Sequence, residues 1–411
     1  MKQANKNFIL GMVSEAFWGA GMGLVLPNTI VPLALVALGQ SASEAGLLGS
    51  IFSMGILLPQ VFSALVIPPR FTNPRLTALL HLPALFGPLL MGLGFALLPP
   101  GNREILYFLF AGFTLFSFGI GLVAPHWIGA IGRCIPEKMR GRYFGASFCA
   151  SGFLATLTGW LASRWADKGG LEWGFAWCFL WAGVPMLGSL MVLTFLKPIT
   201  PAPQAQPPKA VRGSFKLLKN KLMESGPFRS GLFLTILMTL ASAPGNIFTV
   251  YLRNEAELAV SWFEFFTPAV TIGGMIGAFL LGWVVDHKGL RVAFTWTFTA
   301  GLVSLIFIFF WGNPSWPTLA FAFSGFINSA FPVVTLVMVL KMSGHQKSTL
   351  QVGLFNTLMS PWALAPLFVG LLANSAGYSW AFGLGILSCL AALVILGGNR
   401  NLDTPRPTGK T

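Results

Sequence analysis

Twelve apolar runs of about 20 residues or more divide the chain, roughly at 8–36, 44–68, 76–98, 105–132, 142–163, 173–196, 228–252, 259–285, 292–312, 318–341, 350–373 and 378–397. About 20 apolar residues of helix cross a bilayer's hydrocarbon core. Within lipid, helices and closed barrels alone satisfy their own backbone polar groups. Only 9% of the 411 residues are charged, against about 25% in an ordinary soluble domain. So few charges could not cover a water-facing surface of this size. An all-α membrane protein with 12 transmembrane helices is predicted, its runs separated by turn sequences such as PPRFTNPR, PPGN, ADKGG, GNPSWP and NSAGY. The first run is too long for a cleavable signal peptide, and no small-residue cleavage site follows a short apolar region. Cys134, Cys149, Cys178 and Cys389 are scattered and are expected to be free thiols.

A net charge of +14 raises the question of nucleic acid, but the charges do not cluster with base-reading side chains. They fall in the short gaps between runs. With the N-terminus inside and the segments assigned alternately, the inside segments hold 22 of the 26 Lys and Arg residues. The outside segments keep Arg103, Arg164, Lys168 and Arg253. This is the asymmetry of the positive-inside rule, and it places both termini inside a cytoplasmic (inner) membrane. A nucleic-acid partner is excluded; membrane lipid is the expected surrounding.

The segment from Lys197 to Arg229 breaks the rhythm, first Pro-rich (KPITPAPQAQPPKA), then basic (VRGSFKLLKNKLMESGPFR). It reads as a hydrated linker or, in its basic part, as an amphipathic helix on an anionic leaflet. It divides the chain into an N-terminal six-helix bundle over 1–196, a linker over 197–227, a second bundle over 228–398 and a tail over 399–411. The halves show weak symmetry: LPNTIVP around Asn28 matches APGNIF around Asn246 in depth, and the loops ending at Arg75 and Arg291 correspond. Paired halves around a central site are typical of secondary transporters.

The loop GWVVDHKGLR carries Gly282, Asp286, Gly289 and Arg291 in the spacing G-x-x-x-D-x-x-G-x-R, and PEKMRGRYFG carries Pro136, Arg140, Gly141 and Gly145 in the spacing P-x-x-x-R-G. In both, and in the 6+6 layout, the chain resembles the major facilitator superfamily. Two departures stand out: Arg70 stands near the place of an Asp in the loop after helix 2, and helix 5 lacks the Gly-Pro-x-x-Gly-Gly pattern of the drug-antiporter branch. The resemblance implies two pseudo-symmetric six-helix bundles and an inner gate. In that gate Asp286, Gly289 and Arg291 would pack against the start of helix 5, beside Arg140 and Arg142. It also implies that helices 1, 7 and 10 line a cavity.

An ionisable group within a membrane helix costs on the order of 3 kcal/mol and therefore asks for a function. Glu15 lies about two turns into helix 1, on a face with Gly11, Trp18, Met22 and Thr29, with Asn28 nearly opposite. It is the first candidate for proton coupling; packing with a hydrogen-bonding neighbour is the alternative. His126, on a face with Gly119 and Arg133, is the second, with a satisfied core histidine as the alternative. His81 is expected to be structural, and Glu264, on a face with Thr267, Thr271 and Met275, to sit at the outer surface. Thr235, Thr239, Ser242, Asn246 and Thr249 form a polar stripe on helix 7, repeated more weakly on helix 10 by Ser324, Asn328 and Thr335. Interhelical hydrogen bonding is the alternative reading of both stripes. Substrate contacts are expected from Trp18, Met22, Thr239, Ser242, Asn246 and Asn328, with Trp18 and Phe321 as stacking surfaces. Only Arg133 offers the expected cavity a cation, which disfavours organic phosphates and dicarboxylates.

No metal-ligand cluster and no phosphate loop occurs in the sequence, so no cofactor is expected and a gradient must drive transport. The expected function is a monomeric secondary active transporter, proton-coupled, moving a small neutral or cationic, partly apolar solute. A non-transporting protein of the same fold, acting in assembly or sensing, is the alternative. An enzyme would need paired acid and base groups at one depth, and none is found.

Overall fold

The computed structural model describes residues 2–201, 226–310, 312–313, 315–335, 337–338, 355–356 and 358–398. The basic half of the linker and most of its Pro-rich part, the loop holding Lys341 and Lys347, and the 399–411 tail lie outside them. All regular structure among the described residues is helical. The helices are α1 (Lys2–Leu24), α2 (Ile30–Ala37), α3 (Ala42–Leu57), α4 (Pro59–Val66), α5 (Pro74–Leu80), α6 (Leu82–Leu97), α7 (Glu104–Cys134), α8 (Glu137–Gly169), α9 (Phe175–Leu193), α10 (Gly226–Ser242), α11 (Phe248–Asn254), α12 (Phe263–His287), α13 (Leu290–Phe309), α14 (Ser315–Ala330), α15 (Ala365–Ala376) and α16 (Tyr378–Gly398).

Nine helical stretches among the described residues are long and apolar enough to cross a membrane, from Pro74–Leu97 to Tyr378–Gly398. Two of the remaining apolar runs are interrupted. The run at 8–36 divides at residues 25–29, where Pro27 follows the end of α1; the run at 44–68 divides at Leu58, with Pro59 opening α4. Proline has no N–H for an intrahelical bond and its ring crowds the preceding turn. The run at 350–373 is described only in part. Pro244 acts likewise in the second half, where Ala243–Asn246 tightens into a 3-10 turn between α10 and α11.

The helices up to Leu193 pack chiefly on one another, α1 along α8 and α9, α6 on α7 and α9, and α3 on α7. Those from Gly226 do the same, α12 on α14, α14 on α13, and α16 on α10 and α13. The two sets meet along a seam formed chiefly by α8 with α12, α3 with α15, and α2 with α11. In the α1–α8 contact, Gly11, Gly19 and Gly23 recur every four or eight residues along one line. A Cβ on Gly19 would stand 2.2 Å from the Ser151 carbonyl, and one on Gly23 would stand 2.4 Å from that of Ala155. Small residues let membrane helices approach this closely. Below, the end carrying the start of α1 and the 135–142 and 286–291 loops is the basic end; the end carrying residues 37–42, 168–174 and 254–262 is the opposite end.

Candidate functional site

Glu15 stands in the same line as Gly11, Gly19 and Gly23, so its side chain emerges where α1 meets α8. It is half-buried, and its Oε1 accepts a 3.0 Å hydrogen bond from Trp127 Nε1 of α7. Among the described residues no cation pairs with it; the ion pair found there, Arg164–Glu264, lies elsewhere. A carboxyl in a membrane helix with one neutral donor has little to offset its charge. Phe144 is edge-on to Trp127, with ring centroids 5.9 Å apart, and fixes the indole from α8.

The other residues expected on α1 separate. Trp18 is edge-on to His81, at 5.3 Å, within the first half, and does not share the Glu15 contact. Its position three residues on turns it some 60° away. Met22 is half-buried; Thr29, beyond the Pro27 break, is fully buried and no longer continues the Glu15 face. His126 points away from Glu15: its Nε2 lies 3.3 Å from the Ser63 carbonyl, and its buried Nδ1 has no partner. His81 Nδ1 lies 2.8 Å from the Thr77 carbonyl, a local role. Arg133 does not enter a cavity. It is held at the basic end by Thr72 Oγ1 at 3.2 Å and the Thr200 carbonyl at 3.3 Å, because the last carbonyls of a helix and nearby loops attract donors.

In the second half the polar stripe is not continuous, since the Pro244 turn rotates the residues beyond it. Thr235, Thr239 and Ser242 donate to carbonyls three or four residues back in their own helix, which satisfies their hydroxyl protons without a ligand. Asn246 donates to the Ala243 carbonyl at 3.0 Å, and its Oδ1 lies against Gly49 of α3, where a Cβ would stand 2.6 Å away. Asn246 is thus a seam residue. Thr249 also reaches the first half, donating to the Asn28 carbonyl at 2.9 Å. Asn328 is exposed, one turn from Ser324, whose Oγ faces Gly245. Phe321 is no open stacking surface: it is fully buried among Phe248, Phe263 and Phe266, stacked on Phe266 at 5.2 Å.

Polar bridges crowd the opposite end of the seam. Ser163 donates to Thr267 at 2.8 Å, Thr156 and Thr271 share a 2.8 Å hydroxyl bond, and Arg164 pairs with Glu264 at 3.6 Å. Asn374 of α15 donates to Ser41 and Ser43. Inward of Thr156–Thr271 no polar bridge joins α8 to α12 among the described residues, although Asn356 donates to Gln60 at 3.0 Å elsewhere on the seam. The expected gate is not assembled. Asp286 and Arg142 are exposed, and Arg140 donates to the Ile135 and Gly132 carbonyls at 3.2 and 2.7 Å, closing the C-terminus of α7. Gly289, at φ +87°, turns the chain between α12 and α13; Arg291 donates to the Leu396 and Gly397 carbonyls at the end of α16.

Sequence reasoning missed Trp127, because the partner of Glu15 lies 112 positions away. It missed Asn7 as well. That fully buried amide donates to the Cys134 and Lys197 carbonyls, clasping the ends of α1, α7 and α9. Asn7 recurs eight residues before Glu15, and that spacing was the available signal.

The sequence profile of the Major Facilitator Superfamily matches residues 16–363. The chain belongs to this superfamily. That membership and the nine apolar spans make it a multi-pass integral membrane protein. Solved structures of the superfamily fold overlay almost the whole chain at low identity. The nucleoside transporter NupG, as a point mutant, gives a TM-score of 0.67 at 12% identity, over 95% of this chain and 99% of that one. A D-xylose-proton symporter gives 0.65 at 18% identity, over 94% and 96%. A POT family transporter in complex with 5-aminolevulinic acid gives 0.63 at 14%, over 95% and 94%. Identities this low carry the fold alone. No curated protein sequence matches this one.

Proposed function

We propose that this protein is a secondary active transporter that works by alternating access, coupled to protons through Glu15. Two bundles, 1–196 and 228–398, would rock about the seam, with twelve spans and the basic end on the cytoplasmic side. The observation that carries the reading is the Glu15 carboxyl, set in a close-packed helix contact with a single indole donor. Such a group favours neutrality when sealed from water and ionises when water reaches it, so its proton can be taken up on one side and released on the other. The solute is small, neutral or cationic and partly apolar, because the candidate cavity residues Thr239, Ser242 and Asn328 are uncharged and Arg133 is held at the basic end. Transporters of the same fold, including a D-xylose-proton symporter, support gradient-driven transport of a small molecule as the reading over an enzyme. The test is proton flux in liposomes holding the purified protein, measured against a panel of solutes. One or more solutes should drive alkalinisation or acidification in the wild type and not in Glu15→Gln.

A further inference from the structure

Among the described residues, two hydroxyls beside Glu15 have no partner in hydrogen-bond geometry. Tyr143 and Ser147, one turn apart on α8, are fully buried, and neither Oη nor Oγ makes a hydrogen bond. They stand near one another without reaching bonding geometry. A buried, unsatisfied hydroxyl is costly and rare enough to need an explanation; two on consecutive turns of one helix need it more. Their placement supplies one. The α1–α8 contact runs in register, with Gly11 against Tyr143, Gly19 against Ser151 and Gly23 against Ala155. The interval is the same in each pair, which sets Glu15 level with Ser147. Tyr143 Oη lies where a Cβ on Gly11 would be 2.6 Å away, one turn toward the basic end from Glu15.

We propose that Ser147 and Tyr143 hold water on the Glu15 carboxyl and form the proton's path between Glu15 and the basic end. This rests on the reading of Glu15 as the coupling group and adds its route. The carboxyl passes its proton to a water held by Ser147 and becomes a carboxylate; that water passes a proton on to one held by Tyr143, whose hydroxyl donates and accepts without ionising. The reverse sequence reloads Glu15. Phe8, edge-on to the Tyr143 ring at 5.7 Å, bounds the path on α1. Other charged or titratable groups on α1, α7, α8 and α9 stand at the basic end (among them Lys6, Arg133, Arg140 and Cys134, the last near Tyr143), at the opposite end (among them Arg164 and Cys178) or, as Cys149 of α8, on an exposed face; His126 of α7 is turned to the Ser63 carbonyl.

Infrared difference spectra of the full-length protein in lipid, recorded across pH, test this without a solute. A carboxyl band that Glu15→Gln removes reports Glu15. Tyr143→Phe and Ser147→Ala delete one hydroxyl each; either should move the midpoint of that band upward by about one pH unit, since the carboxylate loses a hydrogen-bonded support. A merely structural role would leave the midpoint in place. A band present in the wild type, absent in Glu15→Gln and unmoved in both hydroxyl variants would overturn the water path alone. Absence of any band assignable to Glu15 would overturn the coupling reading together with it.

Discussion

The two ends of the seam between the halves are built differently. At the opposite end, backbone lies on backbone: a Cβ on Gly46 would sit 2.3 Å from the Pro366 carbonyl, and one on Gly370 would sit 2.3 Å from that of Ala42. Side-chain bridges from Ser163, Thr156, Arg164, Thr249 and Asn374 add to this contact. At the basic end Asp286 and Arg142 are exposed and Arg140 serves its own half. Local breaks make the close end possible. Pro27 and Pro244 interrupt equivalent helices, and the freed Asn28 carbonyl is taken up by Thr249 of the other half. Irregular backbone at membrane depth persists where neighbours resatisfy it. One end is close-packed and the other is more open, the asymmetry that the proposed two-state carrier needs.

The same change at the two ends should therefore differ most. Gly46→Val forces branched bulk against the Pro366 carbonyl and should cost the sealed end about 1–3 kcal/mol, a shift of roughly fivefold to a hundredfold in population. Labelling of a cysteine placed at Ser43 should rise accordingly. Gly141→Val at the basic end meets nothing within 4 Å and should leave that labelling unchanged. Equal effects would contradict the comparison. Thr249→Val removes the hydrogen bond to Asn28 while keeping its shape. It should cost about 1 kcal/mol and raise the same labelling severalfold; an unchanged rate would mean the bridge contributes nothing.

Smaller still is Glu264→Gln. Arg164 is 38% exposed and Glu264 21%, so the pair is screened and worth about 0–1 kcal/mol. Its effect should vanish in high salt, and persistence there would mark a packing role instead. Asp286→Asn should change the Ser43 labelling least of all, because Asp286 is exposed and its carboxylate makes no hydrogen bond or ion pair among the described residues. Its effect belongs to the state in which the basic end closes, and should show as slower turnover with affinity kept.

Much of the fold was legible in the sequence, since hydropathy marks each span and each turn carries its own chemistry. The prolines at 27, 59 and 244 were visible, but whether a proline kinks a helix or ends it depends on neighbours elsewhere in the chain. The candidate site was half legible. Glu15 stood out because a carboxylate in an apolar run is costly. Its neighbours in the contact did so only in part: grouping by helical face linked it to Gly11 but also to Trp18 and Met22, whereas the spacing of four through Gly11, Gly19 and Gly23 carries the contact with α8. Periodicity gives the faces of one helix and not which face meets which neighbour. For the same reason the α10 hydroxyls were readable as a stripe, while Asn246 facing Gly49 across the seam was not.

Coupling through Glu15 requires that its carboxyl exchange a proton as solute crosses. The direct measurement is solute-driven proton flux in liposomes containing wild-type protein or Glu15→Gln, at equal reconstituted amounts. Wild-type protein should move protons with its solute, and Glu15→Gln should keep solute exchange while losing both proton flux and accumulation against a gradient. Proton flux and accumulation that survive unchanged in Glu15→Gln would contradict it.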